Sequence, residues 1–131
     1  MPNPVPESIS RTEPQVSFLS IPNVWDKLAR VPHDLSDALE GRLRQVPAQP
    51  ARDAVLVTPD RMPVKKGFAS TEGQARMLHD LASIELQALE LGLRTLMEFP
   101  DAPAGFREEL ARVTQSEAEH FRLCLEALED L

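Results

Sequence analysis

The chain reads as all-α, built around one long antiparallel helical hairpin, and three observations predict this. After Ser70-Thr71 no proline occurs until Pro100, and apolar residues through that stretch recur at helical spacing. The break Pro100-Asp101-Ala102-Pro103 is followed by a second periodic stretch that continues to the last residue. A short turn between two long helices folds one back along the other.

The first helix has a legible start. Ser70 or Thr71 can cap it, and Glu72 places negative charge in its first turn. Leu78, Leu81, Ala82, Ala88, Leu89, Gly92 and Leu96 fall on one side, with Asp80, Ser83, Gln87, Glu90, Arg94 and Glu98 opposite. Ile84, Leu86 and Leu91 widen the apolar sector, which suggests more than one neighbouring element. The second helix is expected from about Ala104 to at least Leu131. Phe106, Leu110, Val113, Phe121, Cys124, Leu128 and Leu131 mark its apolar face. Glu108, Arg112, Gln115, Glu119, Arg122 and Glu126 mark its outer one.

Residues 1–69 differ in kind, because most of the prolines lie there. Residues 1–23 hold Pro2, Pro4, Pro6, Pro14 and Pro22 without sustained periodicity, and read as an extended or poorly ordered arm. Two short helices are expected next, Asn23–Val31 capped by Asn23, and Asp34–Val46 carrying Leu35, Leu39, Leu43 and Val46. From Pro47 to Phe68 the chain reads as an irregular strap against the C-terminal half. Its apolar run Val55-Leu56-Val57 is too short to establish a strand, and Lys65-Lys66-Gly67 reads as a solvated turn. The division is thus a Pro-rich arm with short helices over 1–69 and the hairpin over 70–131.

Composition narrows the function classes. A net charge of −7 with no basic stripe argues against nucleic acid as a partner. Cys124 is the one cysteine, so no internal disulfide is possible and a reducing compartment is the simplest expectation. Neither a signal-like N-terminus nor a run of about 20 apolar residues is present, which gives a cytoplasmic protein without a membrane partner as the expectation.

Three polar residues break the apolar faces. Glu85 interrupts the first helix, and Glu117 and His120 interrupt the second within Ser116-Glu117-Ala118-Glu119-His120-Phe121. Measured from a fold-back near Asp101 or Ala102, Glu85 lies about sixteen residues before it and the other two about fifteen to eighteen after, so equal rise per residue brings them level. A Glu-x-x-His pair puts oxygen and nitrogen donors on one helix face, and a facing carboxylate adds a third that can bridge two metals. Such donors suit iron, with manganese as the other fit, while zinc would be favoured by a cysteine cluster that is absent. Ferritin-like di-metal bundles take one Glu from each of two helices and a Glu-x-x-His from each of the other two. Glu85, Glu117 and His120 are half of that set.

The run His79-Asp80-Leu81-Ala82-Ser83-Ile84-Glu85-Leu86, with Glu117-Ala118-Glu119-His120-Phe121-Arg122, resembles a bacterial family of uncharacterised ferritin-like proteins. That family is distantly similar to the tRNA-modifying di-iron hydroxylases, and the resemblance covers about residues 50 to 131. It implies a four-helix bundle with a carboxylate-bridged di-iron site, of which this chain matches the N-terminal half. The missing half is a second helical hairpin. The sequence ends at Leu131 within an apolar periodic run, with no Gly or Asn to stop the helix. The expectation is therefore an N-terminal piece of a longer protein, or else two copies that pair their hairpins.

The expected function is a di-iron oxidoreductase or oxygenase, or a fragment of one. The alternative is a non-catalytic metal-binding protein or helical scaffold with an incomplete site. His79 reads as a boundary hydrogen-bonder, Glu119 as a solvated surface residue and Cys124 as core packing. His33 falls in the early loop region and supports no role.

Overall fold

The computed structural model describes residues 16–43, 45–53, 59–62 and 64–131. The run Val55-Leu56-Val57 and the first fifteen residues lie outside them. The described chain contains three α-helices, α1 (Val24–Leu39), α2 (Thr71–Glu98) and α3 (Ala104–Glu129), with single 3-10 turns at Phe18–Ser20 and Pro59–Arg61. No strand occurs among the described residues, so the fold is all-α as expected. The helix α2 starts where the capping residues put it, with the Ser70 hydroxyl accepting from Gly73 N at 3.0 Å.

The hairpin of α2 and α3 closes around small side chains. A Cβ added to Gly92 would sit 2.1 Å from Thr114 Oγ1, so the two helices approach there to a distance only glycine permits. Thr114 is buried and donates its hydroxyl to Leu110 O at 2.7 Å, which satisfies the one polar atom at that contact. Ala111, Ala118 and Phe121 continue the buried stripe of α3. This stripe lies beside the one expected: Phe106, Val113 and Leu131 are exposed, while Arg107 is buried.

The shift has a cause, which is α1. Two short helices were expected around Pro32, yet one helix runs through it. Proline lacks an N–H and so removes one rung of the ladder, but Pro32 is solvent-exposed, and Val31, Asp34 and Leu35 anchor the chain around it by burial. The helix stops well short of Val46 because Gly41 adopts φ 75°. Gly41 N then donates to Ala38 O at 3.1 Å and Arg42 N to Asp37 O at 2.8 Å, the paired bonds of a Schellman end.

With α1 laid against one side of the hairpin, residues opposite the expected face become buried. Glu90, read as outward, has a side chain only 5% exposed, and its Oε2 lies 3.1 Å from the Nζ of the fully buried Lys27. Arg52 from the strap reaches the other Glu90 oxygen. Buried charges persist when each finds a partner, and this trio pins α1, α2 and the strap together. Arg107 does the same at the other end of the core. Its guanidinium donates to Leu96 O and Phe99 O at 2.8 Å and to Ala38 O at 2.9 Å, meeting the carbonyl-rich ends of α1 and α2.

The described end of the arm, residues 16–23, is firmly placed. Phe18 is fully buried, and three charged residues of α1 hold the backbone around it. Lys27 Nζ donates to Phe18 O at 3.1 Å, Phe18 N donates to Asp34 Oδ2 at 2.6 Å, and Arg30 donates to Val16 O at 2.9 Å. At the start of the strap, Ala51 N donates to Leu19 O at 2.7 Å and Arg94 of α2 donates to Pro47 O at 2.7 Å.

Among the described residues, no helix covers the other side of the hairpin. Leu81, Ile84 and Leu91 of α2, with Phe106 and Val113 of α3, are exposed apolar residues. Their spacing places them on the faces turned away from α1.

Candidate metal centre

Glu85 stands near the middle of α2, and Glu117 and His120 one turn apart on α3. Because the turn at residues 99–103 is tight, the two helices run level and bring all three side chains together. One ligand atom from each lies within 4.8 Å of the others. His120 Nδ1 is 3.7 Å from Glu85 Oε2 and 3.6 Å from Glu117 Oε2. These separations are too long for hydrogen bonds. They match donors spaced around a shared ion, since ligands about 2.1 Å from one metal stand roughly 3 to 4 Å apart.

A second sign comes from Glu85 itself. Its Oε2 is buried and has no hydrogen-bond partner, a state that costs free energy unless something else compensates the oxygen. The donor chemistry, two carboxylates and an imidazole, fits a first-row divalent ion with oxygen and nitrogen preference. Three donors still leave positions free in a four- to six-coordinate shell.

The cluster interrupts the apolar faces, yet it is partly open to solvent. The Glu85 and Glu117 side chains are 20% and 26% exposed, and that of His120 is 55% exposed. Among the described residues the reason is that α1 covers the opposite side of the hairpin, so the groove holding these residues has helices on one side only. The apolar residues that flank the groove are exposed for the same reason.

The other residues weighed from sequence fall outside the cluster. His79 is exposed on α2. Glu119 points outward and pairs with Arg122 at 2.7 Å. Cys124 packs at the edge of the core, and that burial raises its thiol pKa. His33 is on α1, 3.1 Å from Asp37 Oδ2 and largely solvated. The residues that sequence reading missed, Lys27, Glu90 and Arg107, hold the scaffold that sets the hairpin geometry. Lys27 was legible only as one charge on a short helix, and nothing local marks it as buried.

A surface cleft of about 350 Å³ lies between the arm and the strap, lined by Val16, Ser17, Ser20, Gln45, Val46 and Pro47. It holds none of the three donors. No helix among the described residues is long and apolar enough to cross a membrane.

Over 84 residues the chain is 37% identical to an uncharacterized protein of Haemophilus influenzae, a match that takes in 59% of this chain and 29% of that protein. The chain thus spans less than a third of that relative's length. No solved structure matches it. Residues 20–131 match one family throughout, and the chain belongs to that family, described as Protein of unknown function (DUF455).

Proposed function

We propose that this chain carries half of a carboxylate-bridged di-metal site of the ferritin-like kind, and that the completed site serves a di-iron oxidoreductase or oxygenase. The observation that supports this is the meeting of Glu85, Glu117 and His120 from two helices, with ligand atoms within 4.8 Å of one another. Glu85 and Glu117 are the oxygen ligands and His120 the nitrogen ligand. Iron held there supplies one-electron redox chemistry toward dioxygen, and manganese suits the same donors. The chain's own contribution is to hold these donors on two packed helices, so that little ordering accompanies metal entry. The remaining donors come from a second helical hairpin. The family the sequence resembles is distantly similar to the tRNA-modifying di-iron hydroxylases, which favours oxygen chemistry; the substrate is a separate question.

Glu117→Ala tests the reading. With iron or manganese titrated into the purified protein, the variant is expected to lose at least about tenfold in affinity, since even outer partners of ligands cost that much. Metal content equal to that of the parent would remove Glu117 from the site. A second reading, a metal-binding scaffold without turnover, is favoured by the degree of exposure of the cluster. Dioxygen uptake with ferrous iron, followed together with turnover of a substrate, separates the two, because storage or scaffolding takes up dioxygen only as the added iron is oxidised.

A further inference from the structure

We infer that Gly92 and Thr114 are a positioning pair for the three donors: their contact holds α2 against α3 at the spacing that lets Glu85 share an ion with Glu117 and His120. The inference rests on the metal reading above and names what sets the geometry of that cluster. The donors are not tied together in one way. Glu117 and His120 belong to one helix, so the 3.6 Å between them is set within α3. The 3.7 Å from His120 Nδ1 to Glu85 Oε2 crosses from helix to helix, so it depends on how closely the two pack. Among the described residues, Glu85 Oε2 is buried without a hydrogen-bond partner. No bond of its own fixes that oxygen, and its place follows from the backbone beneath it.

The contact that controls this packing lies close by. Gly92 follows Glu85 by two turns, which puts both on one side of α2 and roughly 10 Å apart along it. Thr114 precedes Glu117 by a single turn of α3, roughly 4.5 Å. A Cβ on Gly92 would meet Thr114 Oγ1 at 2.1 Å, Cγ2 at 2.8 Å and Cβ at 3.0 Å. Rotating the threonine gives no relief, because its Cβ stays in place, both branches are in contact and the hydroxyl is bonded to Leu110 O at 2.7 Å. The helices would have to part by about 1 Å to restore ordinary contact. A shared ion leaves no such slack, since its bond lengths hold to within about 0.2 Å. Gly92 therefore acts on the cluster through helix spacing and through Glu85, and leaves the Glu117–His120 pair within α3 untouched.

Mn(II) titration of the purified protein tests this as a cycle over Gly92→Ala and Glu85→Ala, with free ion followed by electron paramagnetic resonance. Gly92→Ala is expected to keep the parent's helical circular dichroism and to bind Mn(II) about tenfold more weakly. Adding Thr114→Ala, which removes the crowding atoms, should restore most of that affinity. In the Glu85→Ala background, Gly92→Ala should have no further effect, because the donor through which it acts is gone. A general loosening of the fold would instead weaken binding in both backgrounds. Thr114→Ile crowds the same contact from α3 and takes the place of Gly92→Ala if that variant loses its helical signal. Affinity equal to the parent's in Gly92→Ala, or an equal loss with and without Glu85, would overturn the positioning role and leave the metal reading standing. A parent protein that binds no Mn(II) would overturn both.

Discussion

Lys27 is the residue whose environment is furthest from its chemistry. Its ammonium is fully buried, against Glu90 Oε2 and Phe18 O at 3.1 Å each. Burial lowers its pKa, which the bond and the charge of Glu90 partly offset. Removing it strands a carboxylate that Arg52 alone must satisfy, so Lys27→Met should cost about 3 kcal/mol in urea unfolding at neutral pH. Adding Glu90→Leu should cost less than the two single changes summed, because the double variant leaves neither of the two charges buried alone. The sign with pH follows from the lowered pKa. In the window between the lowered value and 10.5 the unfolded state binds more protons, so this residue's contribution grows as pH rises and is lost as pH falls. The stability gap between the parent and Lys27→Met should therefore widen as pH is raised toward 10.5. Asp34 is shifted the other way: burial raises its pKa despite the Phe18 N–H and the nearby Arg30, so its proton stabilises the fold most at acid pH.

Helices α2 and α3 were legible in sequence almost to the residue, because caps, prolines and period all agreed. Ser70 and the Pro100–Pro103 break left little choice. The helix α1 was split in sequence by the rule that proline interrupts helices, and that rule lost to burial on both sides of Pro32. Its end was overrun because the Leu35-Leu39-Leu43 period concealed the turn at Gly41. At this scale the tightest constraint is Gly92 against Thr114. Gly92→Ala should cost about 1–3 kcal/mol by overpacking, despite alanine's better helix propensity. In chemical denaturation, Gly92→Ala combined with Thr114→Ala should recover part of that loss. Equal losses with and without Thr114 would show that the close approach is not what matters.

The molecule as a whole is asymmetric about its hairpin. Among the described residues, one side is closed by α1, the Phe18 segment and the start of the strap, and the other is an apolar face with the three donors along its groove. The covered side is part of the cooperative core. Phe18→Ala should therefore cost about 3–5 kcal/mol, while Leu91→Ala on the open face of the monomer should stay within about 0.5 kcal/mol. Thermal melts of the two variants in chelator check this. Similar losses for both would mean that the Phe18 segment is not integral to the fold.

The sequence by itself determined the hairpin and the meeting of Glu85 with Glu117 and His120. Both follow from local rules: helix period, capping and equal rise on either side of a short turn. It also determined that these residues interrupt an apolar stripe. Which side of the hairpin is closed was left to the tertiary structure, since both α2 and α3 carry apolar residues over more than one face. Docking of α1 selected one face of each, drew Glu90 and Arg107 inward through partners far away in sequence, and left Phe106 and Val113 in solvent. A helical period records that a face is apolar, but the energy of burying it belongs to the partner, and only packing reveals which partner is present.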